Sequence, residues 1–98
     1  MALDICRRPK AKVDLIDIWR YIAKDDDAAA DRLLDRIQAC LRMLADQPEA
    51  GRERPELRGK LRSFPVGNYI IYYECSSHYL DVVRVLSAFR DISDEMVR

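Results

Sequence analysis

Two neighbouring segments in the second half of the chain constrain its fold more than any other feature. Tyr69–Cys75 and Tyr79–Leu86 are rich in β-branched and aromatic residues, and only Ser76-Ser77-His78 separates them. This composition and so short a connection predict two antiparallel strands. Successive strand side chains point to opposite faces of a sheet, so both strands would carry apolar residues on both faces. A fold that contains them must cover two faces.

The first half of the chain supplies two amphipathic helices. Apolar residues recur at helical spacing within residues 9–24 and again within residues 30–44. Three aspartates at residues 25–27 separate the stripes and suit a helix N-terminus, while Pro48 ends the second helix near Gln47. Because the break is short, an antiparallel helical hairpin is expected. The apolar stripes comprise Leu15, Ile18, Trp19, Ile22, Ala30, Leu33, Leu34, Ile37, Leu41 and Leu44.

Two further strands complete the order of elements. A short strand at residues 3–8 precedes Pro9, and a strand at residues 60–66 follows a loop punctuated by Pro and Gly. A chain of 98 residues makes one domain, since domains run to ~100–150 residues. The sequence therefore predicts a single α+β domain over residues 1–98 with the order β-α-α-β-β-β. Its helical hairpin packs on one face of a small antiparallel sheet, and residues 91–97 form one or two helical turns.

Composition narrows the classes of function. The 17 basic residues balance 17 acidic ones, so no field of the whole molecule favours nucleic acid or membranes. We expect a cytoplasmic protein, because no apolar run has the length of a signal peptide or a membrane span. Cys6, Cys40 and Cys75 are far apart and are interpreted as small hydrophobic residues. With a single histidine, no metal site and no cofactor is expected.

Four short motifs follow one another in the second half of the chain, namely Pro48-Glu-Ala-Gly51, Arg54-Pro-Glu-Leu-Arg-Gly-Lys-Leu-Arg62, Tyr69-Ile-Ile-Tyr-Tyr73, and Val83-Arg-Val-Leu86 followed by Arg90-Asp91. Together with the predicted order of elements, these motifs resemble the RelE/ParE toxin superfamily, and the ParE branch more than the RelE branch. The resemblance covers nearly the whole chain.

This resemblance implies the toxin of a type II toxin–antitoxin pair, a class associated with plasmid stabilisation. ParE-like toxins are described as blocking DNA gyrase. Their ParD-like antitoxins carry a ribbon-helix-helix domain, which binds operator DNA, and a tail that wraps the toxin. Given its zero net charge, this chain alone is not expected to bind DNA.

An enzymatic alternative is ribosome-dependent mRNA cleavage, as in the RelE branch. That reaction requires groups that activate the ribose 2′-OH, protonate the leaving oxygen and bind the phosphate. Tyr73, Glu74 and His78 are candidates, but Phe89 is the only aromatic residue after Leu86. Many ParE-like sequences have histidine where this chain has Ser87. We therefore predict an inhibitor and not an enzyme, with the mRNA endonuclease and a non-toxic antitoxin-binding module as alternatives.

Three arginines are the candidates for target inhibition, namely Arg62, Arg84 and Arg90. Arg84 is the most unusual, because strand periodicity places it in a row of apolar residues. A guanidinium in such a row must snorkel to solvent, pair with an acid or face a partner. Both a functional role and a structural ion pair remain open for Arg84.

The second face of the sheet has two possible covers. Two helices can cover only one face, so an antitoxin segment would cover the other or pack along the helical hairpin, by strand addition or by docking of a helix. The alternative is that the C-terminal tail folds back over it. The residues expected to bind antitoxin are Leu15, Trp19, Ile22, Leu34, Tyr69, Ile71, Tyr73, Val83 and Val85.

Overall fold

The computed structural model describes residues 2–97 and confirms an α+β domain in which two helices pack on a sheet. One short strand in the loop after the second helix was not foreseen. Two 3-10 helices, Pro48–Ala50 and Asp94–Val97, lie in the loop and in the tail. The remaining elements are β1 (Asp4–Arg7), α1 (Pro9–Ala23), α2 (Asp27–Asp46), β2 (Arg52–Glu53), β3 (Arg62–Val66), β4 (Tyr69–Cys75) and β5 (Tyr79–Ser87).

The helices begin and end where local chemistry requires. Pro9 occupies the first turn of α1, where its missing N–H costs no helical hydrogen bond. Asp26 caps α2, since its carboxylate accepts a hydrogen bond from the Ala29 N–H at 3.1 Å. The indole of Trp19 on α1 donates to the carboxylate of Asp31 on α2 at 2.8 Å. The predicted helical hairpin is therefore confirmed, with an aspartate at the start of its second helix.

The sheet is mixed and not purely antiparallel. Its strand order is β1-β5-β4-β3-β2, and β1 runs parallel to β5 while the other pairs are antiparallel. The expectation of an antiparallel sheet was wrong for β1. The chain leaves this strand through the helical hairpin, and β1 joins the sheet beside the last strand, from Asp4 opposite Tyr79 to Arg7 opposite Val82.

A β-bulge interrupts the alternation of side chains on β5. Tyr72 on β4 lies opposite Arg84, but the next residue, Tyr73, lies opposite Val82. Val83 is therefore an extra residue without a partner on β4. As a result, Val82 and Val85 both pack into the helix-side cluster, whereas Val83 packs on the other face.

Helices α1 and α2 cover the first face of the sheet. Their apolar stripes meet inward-facing residues of β3, β4 and β5 in one cluster. This cluster is the main core, and Leu41, Ile71, Tyr73, Leu80 and Val82 are fully buried in it.

The second face is covered by the chain itself, so the prediction of an open apolar face was wrong. Leu57 and Leu61 reach this face from the loop before β3, and Val97 reaches it from the tail. They pack with Tyr72, Val83 and Leu86, while Ile70, Ile92 and Met96 border the cluster. The alternative that the tail folds back is therefore the one that the structure shows.

Two further expectations, on membrane spans and on the cysteines, can be compared with the structure of residues 2–97. Within that range, the structure contains no helix with the combined length and hydropathy that a membrane span requires. Cys6 and Cys75 are exposed and Cys40 is half-buried, so the interpretation of all three as interior residues holds at most for Cys40. Cys6 lies on the edge strand β1, and Cys75 is the last residue of the central strand β4.

Candidate functional site

Arg84 lies at the centre of a network that joins three parts of the chain. Its Nε donates to Oδ2 of Asp14 at 2.7 Å and its Nη2 donates to Oδ1 at 2.8 Å. Both side chains are largely buried, at 15% and 10% exposure. A two-pronged bond of this kind fixes both position and orientation. Of the two roles left open for Arg84, the structure shows the ion pair.

The carboxylate of Asp14 also accepts a backbone hydrogen bond from β5 where no neighbouring strand is present to accept it. Pairing between β1 and β5 ends at Val82, and α1 then runs beside the rest of β5. There the Val85 N–H donates to Oδ2 of Asp14 at 3.0 Å. A buried backbone donor is thereby satisfied, which explains why a helix that packs on apolar residues carries a buried aspartate.

Arg84 holds the C-terminal tail as well. Its Nη1 donates to the carbonyl oxygen of Met96 at 2.8 Å, next to Val97 in the second cluster. The hydrogen bond with Asp14 raises the pKa of the guanidinium above its ordinary value. The positive charge is therefore permanent, and it connects α1, β5 and the tail.

Arg62 is also engaged in internal bonds. Its Nη1 donates to the carbonyl oxygens of Gly51 at 2.8 Å and Glu49 at 3.3 Å, and its Nη2 donates to Glu53 at 3.1 Å. These acceptors lie in and just after the 3-10 helix that follows α2. Arg62 therefore fastens this connection to β3.

The hydroxyl of Tyr73 binds the same connection between α2 and β2 from the side of the core. It accepts a hydrogen bond from the Gly51 N–H at 2.9 Å and donates to the carbonyl oxygen of Pro48 at 2.8 Å. A Cβ at Gly51 would collide with the Tyr73 ring, so only glycine fits. Burial raises the pKa of Tyr73, which keeps the hydroxyl a donor at neutral pH.

Arg54 occupies the second face and was not singled out from the sequence. Its guanidinium lies 5.6 Å from the centre of the Tyr72 ring, within the range of a cation–π contact. It donates to Glu56 at 2.8 Å and to the hydroxyl of Ser63 at 3.3 Å. The hydrogen bond to Glu56 raises the pKa of Arg54 and lowers that of Glu56. Arg54 lies in the loop between β2 and β3, where no strand or helix period could have placed it.

A cleft of about 450 Å³ lies between this loop and β3. Its wall carries the cations Arg54, Lys60 and Arg62 and the carboxylates Glu49 and Glu53. Since the two arginines donate to internal acceptors, this cleft presents mixed charge in a fixed arrangement.

Arg90 is placed differently from the other two arginines. It lies in an exposed turn after β5, where its N–H donates to the Ser87 carbonyl at 3.2 Å. Its side chain has no ion-pair partner within residues 2–97. The neighbouring Phe89 is 84% exposed. The structure therefore does not bring the three predicted arginines together, and Arg90 is the one that faces solvent.

The residues expected to bind antitoxin fall into three groups by exposure. Ile71, Tyr73, Val83 and Val85 are at most 1% exposed and form core, so they offer no surface in this conformation. Trp19 is at the surface, whereas the rest are half-buried against the helix-side cluster, namely Leu15, Ile22, Leu34 and Tyr69.

The surface of α1 carries apolar residues that the sequence reading left out. Val13 and Ile16 are 55% and 51% exposed, on the side of the helix away from the core. They stand three residues apart on the polar side of the stripe, and that spacing was visible in the sequence.

The groups considered for mRNA cleavage do not form a catalytic arrangement in the described chain. The Tyr73 hydroxyl is bonded to backbone groups, and Glu74 accepts from Arg8 at 3.3 Å. Arg8 also bonds to Asp81, with 2.7 Å between Nη2 and Oδ2. His78 lies in the exposed turn before β5. Within residues 2–97, no hydrogen bond joins any two of Tyr73, Glu74 and His78.

Comparison with known proteins places these features in a family. A family model described as the ParE toxin of the type II toxin–antitoxin system parDE matches residues 7–92. A protein named toxin ParE1, from Caulobacter vibrioides, is 32% identical over 79 residues, which span 79% of this chain and 80% of that protein.

The fold has a solved counterpart. A chain of a structure described as the chromosomal ParDE TA system from P. aeruginosa superposes with a TM-score of 0.72. The match covers 88% of this chain and 96% of that one, at 18% sequence identity. At this level of identity the match supports the shared fold.

Proposed function

The chain belongs to the ParE toxin family of type II toxin–antitoxin systems, and from that premise we propose that it acts by inhibiting DNA gyrase and is neutralised by a ParD-like ribbon-helix-helix antitoxin. The observation that carries the proposal is the family match over residues 7–92. That range includes both helices, all of the strands from β2 to β5, and Arg62, Arg84 and Arg90.

The arrangement of the arginines supports an inhibitor that works by binding. In this proposal Arg90 contacts the target, because its side chain is exposed and directly follows Phe89, which is also exposed. Arginine and aromatic residues are the side chains that most often dominate binding interfaces. Arg84 and Arg62 are positioning residues, since each is held by at least three internal bonds.

In this proposal, toxin and antitoxin bind different targets. The toxin has no net charge, so recognition of operator DNA falls to the ribbon-helix-helix partner. Both proteins act in the cytoplasm, where gyrase is found.

Two assays with the purified toxin test the proposal. The first follows supercoiling of relaxed plasmid by gyrase, and the second follows cleavage of ribosome-bound mRNA. We expect loss of supercoiling, intact mRNA, and restored supercoiling when the toxin is first incubated with a ParD-like antitoxin. Codon-linked mRNA cleavage with normal supercoiling would contradict the proposal and favour the RelE-type mechanism.

A further inference from the structure

Strand β1 forms an open edge of the sheet. Strand β5 lies on its inner side, and no strand within residues 2–97 lies on its outer side. The N–H groups of Asp4 and Arg8 donate inward, to backbone carbonyl oxygens within residues 78–82. Because backbone groups alternate in direction along a strand, those of Ile5 and Arg7 point outward. The edge therefore presents two N–H groups and two carbonyl groups that a further strand can bind.

This open stretch is short and is centred on Cys6. Before it, the Leu3 N–H is already bonded to the Ala45 carbonyl oxygen of α2 at 2.9 Å. After it, Pro9 begins α1 and ends the strand. The opposite edge of the sheet is less suited to pairing, because β2 has two residues and both are charged. Strand β1 is therefore the better suited of the two edges to accept another strand.

Cys6 is exposed and has no thiol within reach in its own molecule. Cys75 lies on β4, and β5 separates that strand from β1. Two strand spacings amount to about 9.5 Å, whereas the Cα atoms of a disulfide lie within about 7 Å of each other. Cys40 packs against the helix-side cluster, while Cys6 follows the core-facing Ile5 and so points to the other face. A disulfide at Cys6 therefore requires a thiol from a second molecule.

We propose that β1 pairs with β1 of a second copy across a two-fold axis at Cys6, and that oxidation joins the two Cys6 thiols. In this antiparallel register, Ile5 of each copy lies opposite Arg7 of the other, and the two residues exchange backbone hydrogen bonds. The outward groups of one copy are thereby satisfied by the same groups of the other, as a two-fold interface requires. Asp4 of each copy lies opposite Arg8 of the other, which places an acid opposite a base. The inference goes beyond the proposed function and does not depend on it.

The same register suits a disulfide at the axis. The two Cys6 residues lie between hydrogen-bonded pairs, so they form a non-hydrogen-bonded pair with Cα atoms about 4.5 Å apart. Disulfides bridge Cα atoms that are about 4.4–6.8 Å apart. A strand from another protein can bind the same backbone groups, but it places a thiol opposite Cys6 only if it carries one there.

A small-molecule disulfide, such as oxidised glutathione, supplies the oxidation. The first Cys6 thiolate attacks it, forms a mixed disulfide and releases one glutathione thiolate. The Cys6 thiolate of the second copy then attacks the sulfur of the first Cys6 and releases the other. Two protein thiols are oxidised and one glutathione disulfide is reduced, and the two protons of the cysteines pass to the two glutathione thiolates.

Oxidation of the purified protein is the first test. Wild type, Cys6→Ser and Cys75→Ser are incubated with oxidised glutathione, and covalent dimer is measured on a non-reducing gel. Wild type and Cys75→Ser should form a dimer that a reductant reverses, and Cys6→Ser should form none. Cys75→Ser is the matched control, because Cys75 is also exposed. A dimer that needs Cys75 and not Cys6, or no dimer at all, would overturn the proposal.

A displaced thiol tests the register. Asp4→Cys/Cys6→Ser keeps one exposed thiol on the same face of β1, two residues away. Residue 4 lies opposite residue 8 in the proposed register, so the two displaced thiols do not meet. They should cross-link at least about tenfold more slowly than the Cys6 thiols, which the pairing holds together. Equal rates would show that the thiols meet by random collision, and the proposal would be wrong.

Backbone protection tests the strand pairing itself. Hydrogen exchange followed by NMR should be at least about tenfold slower for the Ile5 and Arg7 amides in the oxidised wild-type dimer than in Cys6→Ser. The Asp4 amide is the internal control, because it already donates to the His78 carbonyl oxygen and should change little. A covalent dimer whose Ile5 and Arg7 amides exchange as fast as in Cys6→Ser would show an exposed thiol without strand pairing, which contradicts the proposal.

Discussion

The two faces of the sheet are buried by different means. Two long regular helices cover the first face, and its cluster is built from residues at helical and strand spacing. A loop and a short tail cover the second face, and they contribute Leu57, Leu61 and Val97. The comparison shows that an apolar sheet face in a small domain does not by itself indicate a binding site, because irregular segments can bury it.

The second cover depends on polar contacts more than the first. Arg84 holds the tail through the Met96 carbonyl, and Arg54 lies over Tyr72 and bonds to Ser63. An isolated tail or loop has little secondary structure to order it, so such contacts help to offset the entropy of fixing it. Arg54, Arg62 and Arg84 are therefore part of the architecture, and Arg90 is the exception among the three arginines predicted for target binding.

The largest expected loss of stability comes from a cavity under the helices. Leu41→Ala removes a fully buried side chain from the main core and should lower the free energy of unfolding by about 4 kcal/mol. Leu57→Ala makes the same chemical change under the loop and should cost about 2 kcal/mol, because an irregular segment can settle into the cavity. Urea titration gives both values. Equal losses would show that the two covers are equally rigid.

A loss of about 3 kcal/mol is expected when the central ion pair is broken. Asp14→Ala leaves the Arg84 guanidinium largely buried without its acid and the Val85 N–H without an acceptor. Adding Arg84→Met should restore part of the stability, since an apolar side chain needs no partner. Asp81→Ala is the control, because its ion pair with Arg8 is about one-third exposed and should contribute less than about 1 kcal/mol.

Thermal unfolding of these variants checks the role of the pair. If Asp14→Ala is no worse than Asp81→Ala, the junction of α1, β5 and the tail does not depend on this charge pair.

A smaller effect is expected at the connection between α2 and β2. Tyr73→Phe leaves the Gly51 N–H and the Pro48 carbonyl without their partner and should cost about 1–2 kcal/mol. Burial raises the folded-state pKa of Tyr73 above the unfolded value of about 10. The stability linked to this group is therefore complete below about pH 10 and is lost as pH rises through the folded pKa.

The pH profile of the midpoint of unfolding checks that sign. Wild type should lose stability more steeply than Tyr73→Phe above about pH 10. Some decline should remain in the variant, because burial also raises the pKa of Tyr69. Parallel profiles would mean that Tyr73 titrates alike in the folded and unfolded states.

The regular elements could be predicted from sequence because each has its own period. The helical stripe over residues 30–44 and the aspartates before it determined α2, and the apolar composition of Tyr69–Cys75 determined β4. Helix, turn and strand preferences act over a few residues, so they are readable from one sequence. The position of β1 beside β5 could not be predicted from the sequence, because this parallel pairing joins residues far apart in the chain.

The site was harder to predict, and Arg84 shows why. Strict alternation placed Arg84 in a row with Val82 and Leu86, but the bulge at Val83 shifts the register and separates Val82 from Leu86. Its acid, Asp14, is seventy residues away on the buried side of a helix. No local sequence pattern predicts such a pair. Val13 and Ile16, exposed on α1, are three residues apart, a spacing that the sequence already shows.

The most direct test of the account is the gyrase activity of Arg90→Ala measured against its stability. In the proposed function, one exposed arginine contacts the target and two other arginines hold the fold. The concentration of Arg90→Ala that halves supercoiling should therefore exceed that of wild type by at least about tenfold, with the same unfolding temperature. If Arg90→Ala inhibits gyrase as well as wild type, the target does not contact this arginine, and the division proposed for the three arginines is wrong.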